Sequence, residues 1–577
     1  MKKFIKSKWW EPVWVALVFY TLHAWVQFST PFFADTNDSF YHAKMGALMG
    51  EKGILQEFPW LFFTSLHDQF VNHHLLFHII LWPFTVMGNW AHTLGLTTLP
   101  GMIFGPKVLI TMSITALFVM AYVMLRKEGI RFAWGWLLLL LCVPYDFFFR
   151  MHMIRAQSLS LFVLLLGLYA IWQKKYLLLG ILSFAYVWLY GGFFFLPIFV
   201  ITYLVAQYVQ EKELDLRPLW WSLGGVILGF LLNPYFPKNI DFLYRQIFET
   251  GLGYQINVGG EWKPYDTWYL FQMGVVTFAL QIGAITWALL KGLKQNARSI
   301  TLLVLSFFFL ILMWKSKRFV EYWPFFAVLS SAFLLKEYLA EMYINRVRVL
   351  NTFLVVFTLY AVVALYTGKL AVPTVHRLSV WMSPALTGFL VAGLVFASLV
   401  GLIYSYMTVS QQKPPLRKLA HEVLMGTLIA LLPIYALGGM DAVKRDIAPQ
   451  TAYIQGAQDI MRCITDKGNA KPGDIVFTDD WDIFPLFFFY NHLTYYIVGL
   501  DPVFMDAWNR PLYKEFAAIT MGTDRDDLYR KITGDFQAKF VVADKDHAAL
   551  RSNVEATAGF TKLCDNGTFT AYIATGN

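Results

Sequence analysis

Residues 13–44 read VWVALVFYTLHAWVQFSTPFFADTNDSFYHAK, an apolar run that passes directly into a polar string. The run 13–28 follows four lysines, Lys2, Lys3, Lys6 and Lys8, as the apolar part of a signal peptide does. It lacks a small-residue cleavage site and is long and rich in aromatic residues, so we expect an uncleaved first membrane helix. Residues 37–44 are then expected at the membrane surface, on the side opposite the lysines.

Most of the chain is as apolar as this first helix. Its 577 residues are 57% hydrophobic and only 15% charged, and the mean hydropathy is +0.50. This composition excludes an ordinary soluble enzyme and a disordered scaffold. Apolar stretches of about 20 residues recur, and each can cross about 30 Å of hydrocarbon as a helix that satisfies its own backbone. The sequence therefore predicts a polytopic, all-α membrane protein.

The lysines and arginines indicate how these helices are oriented. They give a net charge of +9, but they are spread among short loops, which favours cytoplasmic loops over a nucleic-acid partner. Placing the basic loops inside predicts about thirteen spans in a cytoplasmic (inner) membrane, with a cytoplasmic amino terminus. The outer segments are then a large first loop at about residues 32–103, loops at 145–155 and 237–268, and turns at 315–318 and 369–377.

The carboxyl-terminal part differs in composition from the rest. Residues 1–438 form the predicted membrane domain, whereas between 439 and 577 charged residues, glycine and alternating apolar residues replace continuous apolar runs. We expect a small extracytoplasmic α/β domain there, in which Cys463 and Cys564 could pair. Its predicted strands are 475–478, 495–499, 540–543 and 568–573, and its predicted helix is 512–520.

The first outer loop carries the residues that most resemble a reaction site. A helix that begins at Asp38 places Asp38 and His42 on one face, with Asp35 just before it. Two carboxylates beside an imidazole suit Mg²⁺ or Mn²⁺, and they suit general-base chemistry. The alternative is that Asp38 only caps the helix. Later in this loop, residues 73–84 are too few to span a membrane and reach Pro83, which predicts an interfacial helix that ends there.

The string Asn-Asp-Ser-Phe-Tyr-His-Ala-Lys at residues 37–44 resembles a family motif. It is similar to the Asp-Pro-aromatic-aromatic-His/Asn-x-Arg string in the first outer loop of GT-C glycosyltransferases, most closely the catalytic subunit of oligosaccharyltransferase. Ser39 replaces the proline and Lys44 the arginine. The resemblance implies an enzyme that transfers a sugar or oligosaccharide from a polyprenyl-(pyro)phosphate donor to an acceptor outside the membrane. It also implies a divalent cation and inversion at the sugar carbon.

The resemblance extends to carboxylates in the next two outer loops. The second loop holds Asp146, Arg150 and Arg155, and charged groups at the mouth of a helical bundle tend to be functional. The family places a second metal carboxylate here, which corresponds to Asp146. In the third loop the family has a mobile glutamate, which corresponds to Glu261, although Glu249 and Asp266 lie in the same loop. The implied metal ligands are Asp38, His42, Asp146 and Glu261, and the implied catalytic residues are Asp35, Asp38 and Glu261.

A donor phosphate needs cationic partners, and the outer segments provide them. Lys317 and Arg318 stand at the outer end of a span, against the positive-inside rule, which indicates a bound anion such as a lipid phosphate. A pair between Arg318 and Glu321 is the rival explanation, and lipid headgroups are the rival partners of Arg150 and Arg155. Zinc is disfavoured because His74 and His78 lack a third ligand at fixed spacing. The predicted donor-phosphate residues are His73, His74, Arg150, Arg155, Lys317 and Arg318.

The acceptor side of the resemblance lies in the carboxyl-terminal domain. Residues Asp480, Trp481 and Asp482 resemble the Trp-Trp-Asp-Tyr-Gly string that binds the acceptor peptide in oligosaccharyltransferase, but only Trp481 and Asp482 correspond. Asparagine specificity is therefore not implied, and a saccharide, lipid or protein acceptor stays open. Alternatively, Trp481 packs the domain onto the membrane surface.

Two rival functions compete with the transferase. A flippase for lipid-linked saccharides should carry polar residues and broken helices at the membrane midplane, whereas the ionisable residues here concentrate at the outer ends of spans. A non-catalytic subunit of polysaccharide assembly is the second rival.

Overall fold

The computed structural model describes residues 10–35, 37–246, 259–342, a few positions between 349 and 356, 416–447 and 450–576. The amino-terminal lysines, Glu249 and the predicted outer turn 369–377 lie outside the described residues. The described part consists mostly of helices, with one five-stranded sheet near the carboxyl terminus.

The helices before the sheet include spans and shorter surface helices. They are α1 (Trp10–Gln27), α2 (Asp38–Lys52), α3 (Leu75–Thr93), α4 (Gly101–Lys127), α5 (Ala133–Leu141), α6 (Tyr145–His152), α7 (Gln157–Trp172), α8 (Tyr176–Leu189), α9 (Phe195–Glu211), α10 (Arg217–Leu231), α11 (Lys238–Tyr244), α12 (Thr267–Met273), α13 (Val275–Leu290), α14 (Ala297–Lys315), α15 (Trp323–Leu334), α16 (Lys336–Glu341) and α17 (Leu416–Ile447). Two 3₁₀ turns, Gly260–Trp262 and Lys317–Glu321, lie between them.

Several of these helices are apolar enough to cross a membrane. In the described residues, three helical segments are long and apolar enough to cross a membrane. The number rises to as many as five if each of two bent helix pairs is counted as one span. One bent pair is α5 with α6, which meet at 85°. Other apolar helices, such as α7 and α8, are shorter than a full span. The chain is a multi-pass membrane protein, and the count of about thirteen spans stays a prediction.

The first loop begins and ends at the same end of the bundle because α1 and α4 run antiparallel. At one end, the buried Lys107 donates from Nζ to the carbonyl oxygens of Gln27 (3.0 Å) and Thr30 (2.6 Å). A cation there binds the carbonyls that the end of a helix leaves without partners. At the other end, Arg126 pairs with Glu11 over 3.1 Å. The geometry agrees with the loop predicted between these helices.

The third helix is longer than the sequence predicts. Pro83 lies inside α3, so the predicted end at Pro83 is wrong. Beyond it, Gly88 meets the start of α4 so closely that a Cβ there would lie 2.3 Å from the Gly101 carbonyl oxygen, and one on Gly105 would lie 1.9 Å from that of Phe84. This close packing of small residues offsets the hydrogen bond that proline removes.

The carboxyl-terminal region forms a mixed sheet flanked by helices. Its strands are β1 (Ile475–Thr478), β2 (Tyr495–Tyr496), β3 (Ala538–Asp544), β4 (Phe560–Asp565) and β5 (Phe569–Ala574), in the order β2-β1-β3-β5-β4. The pairs β2-β1 and β1-β3 are parallel, and β3-β5 and β5-β4 are antiparallel. Its helices are α18 (Gln450–Asp466), α19 (Phe484–Tyr490), α20 (Val503–Trp508), α21 (Arg510–Thr520), α22 (Leu528–Arg530) and α23 (Ala548–Ala556).

The predicted strands and the helix at 512–520 all coincide with observed elements. Among the five strands only the edge strand β4 was not predicted, and the other helices of this region were not predicted either. The residues of β4 are mostly half-buried or exposed, so its apolar pattern is weak. Cys463 and Cys564 form a disulfide that ties α18 to β4. The predicted boundary at 438/439 falls inside α17, which continues to Ile447.

The first loop and the sheet region are bonded to each other. Leu61 and Tyr496 form a parallel bridge, the Trp60 indole donates to the carbonyl oxygen of His492 over 2.8 Å, and the rings of Phe40 and Phe489 lie 5.2 Å apart. These contacts hold the start of α2 next to the sheet region, and residues of both line one cavity.

Candidate active site

A cavity of about 450 Å³ lies where the first loop, the later loops and the sheet region meet. It collects polar side chains from sequence segments that are hundreds of residues apart. Its lining includes Asp38, His42, His73, His74, Arg155, Glu261, Arg318, Asp480, Trp481, Asp482 and Asp501. Nine of the predicted catalytic, phosphate-binding and acceptor-binding residues thus converge, together with the predicted metal ligand His42 and one residue that was not predicted, Asp501.

Three arginines surround the carboxylate of Glu261. Its Oε2 lies 3.0 Å from Nη2 of Arg150 and 3.2 Å from Nη1 of Arg155, and its Oε1 lies 3.3 Å from Nε of Arg318. We call Arg150, Arg155 and Arg318 the arginine cradle. Arg318 also stacks on the indole of Trp262, with 4.3 Å between the guanidinium carbon and the ring centroid. The cradle is therefore fixed by the same 3₁₀ turn that carries Glu261.

The cradle controls the charge of Glu261. Burial alone raises the pKa of the Glu261 carboxyl, but Arg318, Arg150 and Arg155 outweigh burial and hold that pKa well below its usual range. The arginines themselves are enclosed: only 8% of Arg155 is exposed, and the Arg150 side chain is 11% exposed. Buried guanidinium groups of this kind do not serve lipid headgroups at the bulk surface. They form an anion site, which Glu261 occupies in the structure.

The rival pair of Arg318 and Glu321 is not found among the described ion pairs. Glu321 is instead bound by Arg150, at 2.5 Å between Oε1 and Nη2. This contact anchors Arg150 from behind, because Glu321 is 1% exposed and does not line the cavity.

Asp35 and Asp38, the two aspartates at the start of the first loop, have different tasks. The sequence left open that Asp38 only caps the helix. In the structure Asp35 takes the capping role, because its Oδ2 accepts the backbone N–H of Ser39 over 3.2 Å. Asp38 is the first residue of α2, and its Oδ2 lies 2.7 Å from Nη2 of Arg155. Burial raises the pKa of Asp38, and Arg155 opposes that rise. Asp38 therefore offers the cavity a carboxylate that is a stronger base than an exposed aspartate.

Ser39 explains how Asp38 and Arg155 are brought together. This residue stands where the resembling motif has proline, and its buried hydroxyl accepts the backbone N–H of Ile154 over 2.7 Å. The bond ties the first turn of α2 to the residue next to Arg155. The departure from the motif thus has a structural use in this chain.

The histidines of the cavity are uncharged. Burial is the main cause that lowers the pKa of His42 and His73 well below 6.5 and that of His74 to about 3, and neighbouring imidazoles add to it. His73 and His74 can exchange hydrogen bonds with a phosphate, but they bring no positive charge to it.

Four predicted residues are not part of the cavity lining. Arg150 and Asp35 still reach lining residues, Glu261 at 3.0 Å and Arg155 at 4.0 Å respectively, whereas Asp146 and Lys317 contact Tyr265. The carboxylate of Asp146 accepts the hydroxyl of Tyr265 over 2.8 Å. Lys317 places its ammonium 5.6 Å from the centroid of the same tyrosine ring. The short turn from Trp262 to Tyr265 therefore lies between these side chains and Glu261. Their roles in binding metal and phosphate stay predictions.

The residues present do not fit the implied cation. Glu261 is bound by guanidinium groups and Asp146 by Tyr265, so neither carboxylate is directed to a shared ion with Asp38 and His42. Within the described residues, three potential ligand atoms come within 4.8 Å of one another at one group, Asp479, Asp544 and His547, which is a possible acidic metal site. The hydrogen bonds that the His547 ring donates to the carboxylates of Asp479 and Asp544 raise the pKa of His547 to about 10. The protonated imidazole thus already neutralises these carboxylates near neutral pH.

Three further carboxylates line the cavity. Asp480, Asp482 and Asp501 line it beside Trp481, which supports a cavity role for Trp481 over packing at the membrane surface. Burial first, and then Asp480 and its neighbours, raise the pKa of Asp482 to about 7. Burial raises that of Asp501 to about 6. Asp501 was not predicted, although an aspartate soon after a predicted strand is a usable signal.

Comparison with solved structures defines the fold. Archaeal oligosaccharyltransferase AglB from Archaeoglobus fulgidus, in complex with an inhibitory peptide and a dolichol-phosphate, matches with a TM-score of 0.59 and 13% identity, over 99% of this chain and 74% of AglB. ArnT from Cupriavidus metallidurans in the apo state matches with a TM-score of 0.54 and 15% identity, over 97% and 96%. ArnT bound to undecaprenyl phosphate gives 0.52 and 15%, over 98% of both chains. The chain has a GT-C-like fold.

The GT-C-like fold confirms the resemblance drawn from residues 37–44. No protein-family model matches the sequence, and the search of curated proteins gives no match. At these identities the GT-C-like fold describes architecture, so the chemistry has to be argued from the cavity itself.

Proposed function

We propose that this protein is a glycosyltransferase that moves a sugar or oligosaccharide from a polyprenyl-(pyro)phosphate donor to an acceptor outside the cytoplasmic membrane. The observation that carries the proposal is the arginine cradle, which lies beside Asp38 in a cavity next to membrane helices. Three guanidinium groups around one carboxylate are an environment suited to a phosphate. AglB and ArnT were solved with dolichol-phosphate and undecaprenyl phosphate respectively, which supports a lipid-linked donor.

Binding of the donor displaces the Glu261 carboxylate from the arginine cradle. The donor phosphate takes the contacts that Glu261 makes with the cradle, and the released carboxylate turns toward the substrates. Arg155 links the two halves of the site because it contacts both Asp38 and Glu261. The phosphate is thereby held next to the base.

The transfer is a displacement at the anomeric carbon. The acceptor oxygen or nitrogen forms a bond to that carbon, its proton passes to Asp38, and the bond from the carbon to the phosphate oxygen breaks. The electron pair leaves with the lipid (pyro)phosphate. The cradle stabilises the negative charge that grows on the departing oxygen, which is the main electrostatic need of this reaction. Attack opposite the leaving group inverts the carbon.

The acceptor enters along the wall formed by Asp480, Trp481 and Asp482. The metal assistance predicted from the sequence is left out of this proposal, because Asp146 does not line the cavity that Asp38, His42 and Glu261 share, and Glu261 is bound there by three arginines.

The test is sugar transfer from labelled undecaprenyl-phosphate-linked and undecaprenyl-pyrophosphate-linked sugars to membranes of a strain that lacks this protein. Wild-type protein should label an acceptor, and Asp38→Asn should lose at least about a hundredfold in rate, as expected for a general base. Asp68→Asn is the matched control, because Asp68 is an exposed aspartate of the same loop that does not line the cavity. Unchanged transfer by Asp38→Asn, with the protein still in the membrane, would defeat the assignment. Movement of the lipid across the membrane without transfer would favour a flippase.

A further inference from the structure

Three buried side chains of the first loop form a hydrogen-bonded chain that ends at the cavity. Nδ1 of His42 lies 2.8 Å from Nε2 of His78, and Nδ1 of His78 lies 2.9 Å from Oδ1 of Asn72. All three side chains are buried, and His42 is the member that lines the cavity. The reaction proposed above uses neither Asn72 nor His78.

A backbone group determines the direction of the hydrogen bonds in this chain. The N–H of His74 donates to Oδ1 of Asn72 over 3.2 Å, and a backbone N–H can only donate. The atom of the Asn72 amide that faces His74 and His78 is therefore the oxygen, and the nitrogen faces Sδ of Met49 at 3.8 Å. Because an amide oxygen only accepts, Nδ1 of His78 must carry a hydrogen.

Burial then sets the tautomer of His42. His78 is fully buried, and the rings of His42 and His74 lie 5.0 Å and 6.4 Å from it. A second proton on His78 would be a buried charge beside imidazoles, so the ring is neutral and its Nε2 holds a lone pair. That lone pair accepts the hydrogen of Nδ1 of His42. The other ring nitrogen of His42, Nε2, is left with a lone pair as well.

We propose that Asn72 and His78 are positioning residues that hold His42 in the Nδ1–H tautomer, so that Nε2 of His42 accepts a hydrogen bond from a substrate hydroxyl group in the cavity. The identity of the substrates rests on the proposed function, whereas the tautomer does not. Asp38 lies one helical turn before His42 on α2 and lines the same cavity. The hydroxyl is therefore bound beside the base, and it belongs either to the sugar of the donor or to the acceptor.

The tautomer can be measured on the full chain without any substrate. The protein has 12 histidines, so ¹⁵N-histidine-labelled protein in nanodiscs is compared by solid-state NMR with His42→Gln to assign the His42 signals. We expect a protonated Nδ1 and a bare Nε2 in wild-type protein and in Asn72→Gln, which keeps a neutral amide oxygen as the acceptor. Asn72→Leu should shift His42 to a mixture of tautomers. A protonated Nε2 in wild-type protein, or identical spectra for Asn72→Leu, would overturn the proposal.

Kinetics then locate the hydroxyl. The donor is an undecaprenyl-phosphate-linked sugar on which wild-type protein is active, and the acceptors are membranes of the deletion strain. Asn72→Leu should lower kcat/KM about tenfold, as loss of one substrate hydrogen bond does, whereas Asn72→Gln should retain most of it. His92→Gln is the control, because His92 is an exposed histidine on α3, the helix that carries His78.

Two arms separate the sources of the hydroxyl. If Asn72→Leu binds the sugar-linked lipid more weakly than wild-type protein but binds undecaprenyl phosphate equally well, the hydroxyl group belongs to the sugar of the donor. If Asn72→Leu binds both lipids as wild-type protein does but transfers the sugar more slowly, the hydroxyl group belongs to the acceptor. If Asn72→Leu binds both lipids and transfers the sugar as wild-type protein does, the proposed role of the tautomer is refuted. If wild-type protein transfers no sugar, the proposed function fails, while the NMR result still decides the tautomer.

Discussion

The exchange of Glu261 for a phosphate predicts that removing the glutamate charge strengthens donor binding. Glu261→Gln keeps the side-chain size but removes the anion that the arginine cradle binds at 3.0, 3.2 and 3.3 Å. In the wild-type protein a phosphate replaces one bound anion by another, so much of its binding energy is spent in breaking existing ion pairs. In the variant, the cradle keeps its arginines and loses its internal competitor.

The size of the effect follows from these three contacts. Each ion pair at about 3 Å has a gross Coulomb energy of about 5 kcal/mol at an effective dielectric constant of about 20, but the net worth of a charged hydrogen bond is about 1.5–3 kcal/mol. Because glutamine still accepts one neutral hydrogen bond, we assign the variant a net gain of one charged bond. We therefore expect undecaprenyl phosphate to bind at least about tenfold more tightly.

The assay is the dissociation constant of undecaprenyl phosphate for the full chain in nanodiscs, measured at fixed ionic strength. Glu57→Gln is the matched control, because Glu57 is exposed, does not line the cavity and should leave the constant unchanged. Arg318→Gln should weaken binding. An unchanged or weaker affinity of Glu261→Gln would show that the glutamate does not occupy the phosphate site, and the reasoning would be refuted.

Three further predictions concern stability. Lys107→Met leaves two buried helix-end carbonyls without their donor and should destabilise the solubilised protein by about 2–5 kcal/mol in thermal unfolding, whereas the exposed Lys294→Met should not. Cys463→Ser removes a disulfide between cysteines 101 residues apart, which should lower the free energy of unfolding by about 2–4 kcal/mol. Hydrogen exchange in β4 should therefore accelerate, and unchanged exchange would contradict this prediction. Since the folded pKa of His547 is raised from 6.5 to about 10, its stabilisation is complete below pH 6.5 and lost as pH rises to about 10. The difference in hydrogen exchange of β3 between wild-type protein and His547→Gln should therefore shrink over this range, and a difference independent of pH would argue against the charge.

Much of the architecture was accessible from the sequence because it depends on local patterns. Apolar runs flanked by lysines predict membrane helices, and alternation of apolar residues predicts strands at the positions where β1, β2, β3 and β5 occur. The motif at residues 37–44 predicts the GT-C-like fold. The end at Pro83 was predicted wrongly, because the packing of α3 against α4 through glycines is a tertiary contact that outweighs a local helix-breaking signal.

The sequence by itself determined which residues are able to react, and the tertiary structure decided how they are paired. Asp38, Arg155, Glu261 and Arg318 were identified from their loops, but the spacing of residues within a loop says nothing about partners that are a hundred residues away. Only the fold places three arginines around Glu261, turns Asp146 toward Tyr265 and joins His42 to Asn72 through His78. The physical reason is that burial and opposite charges, which set both the ion pairs and the proton positions, arise when distant segments enclose the same cavity.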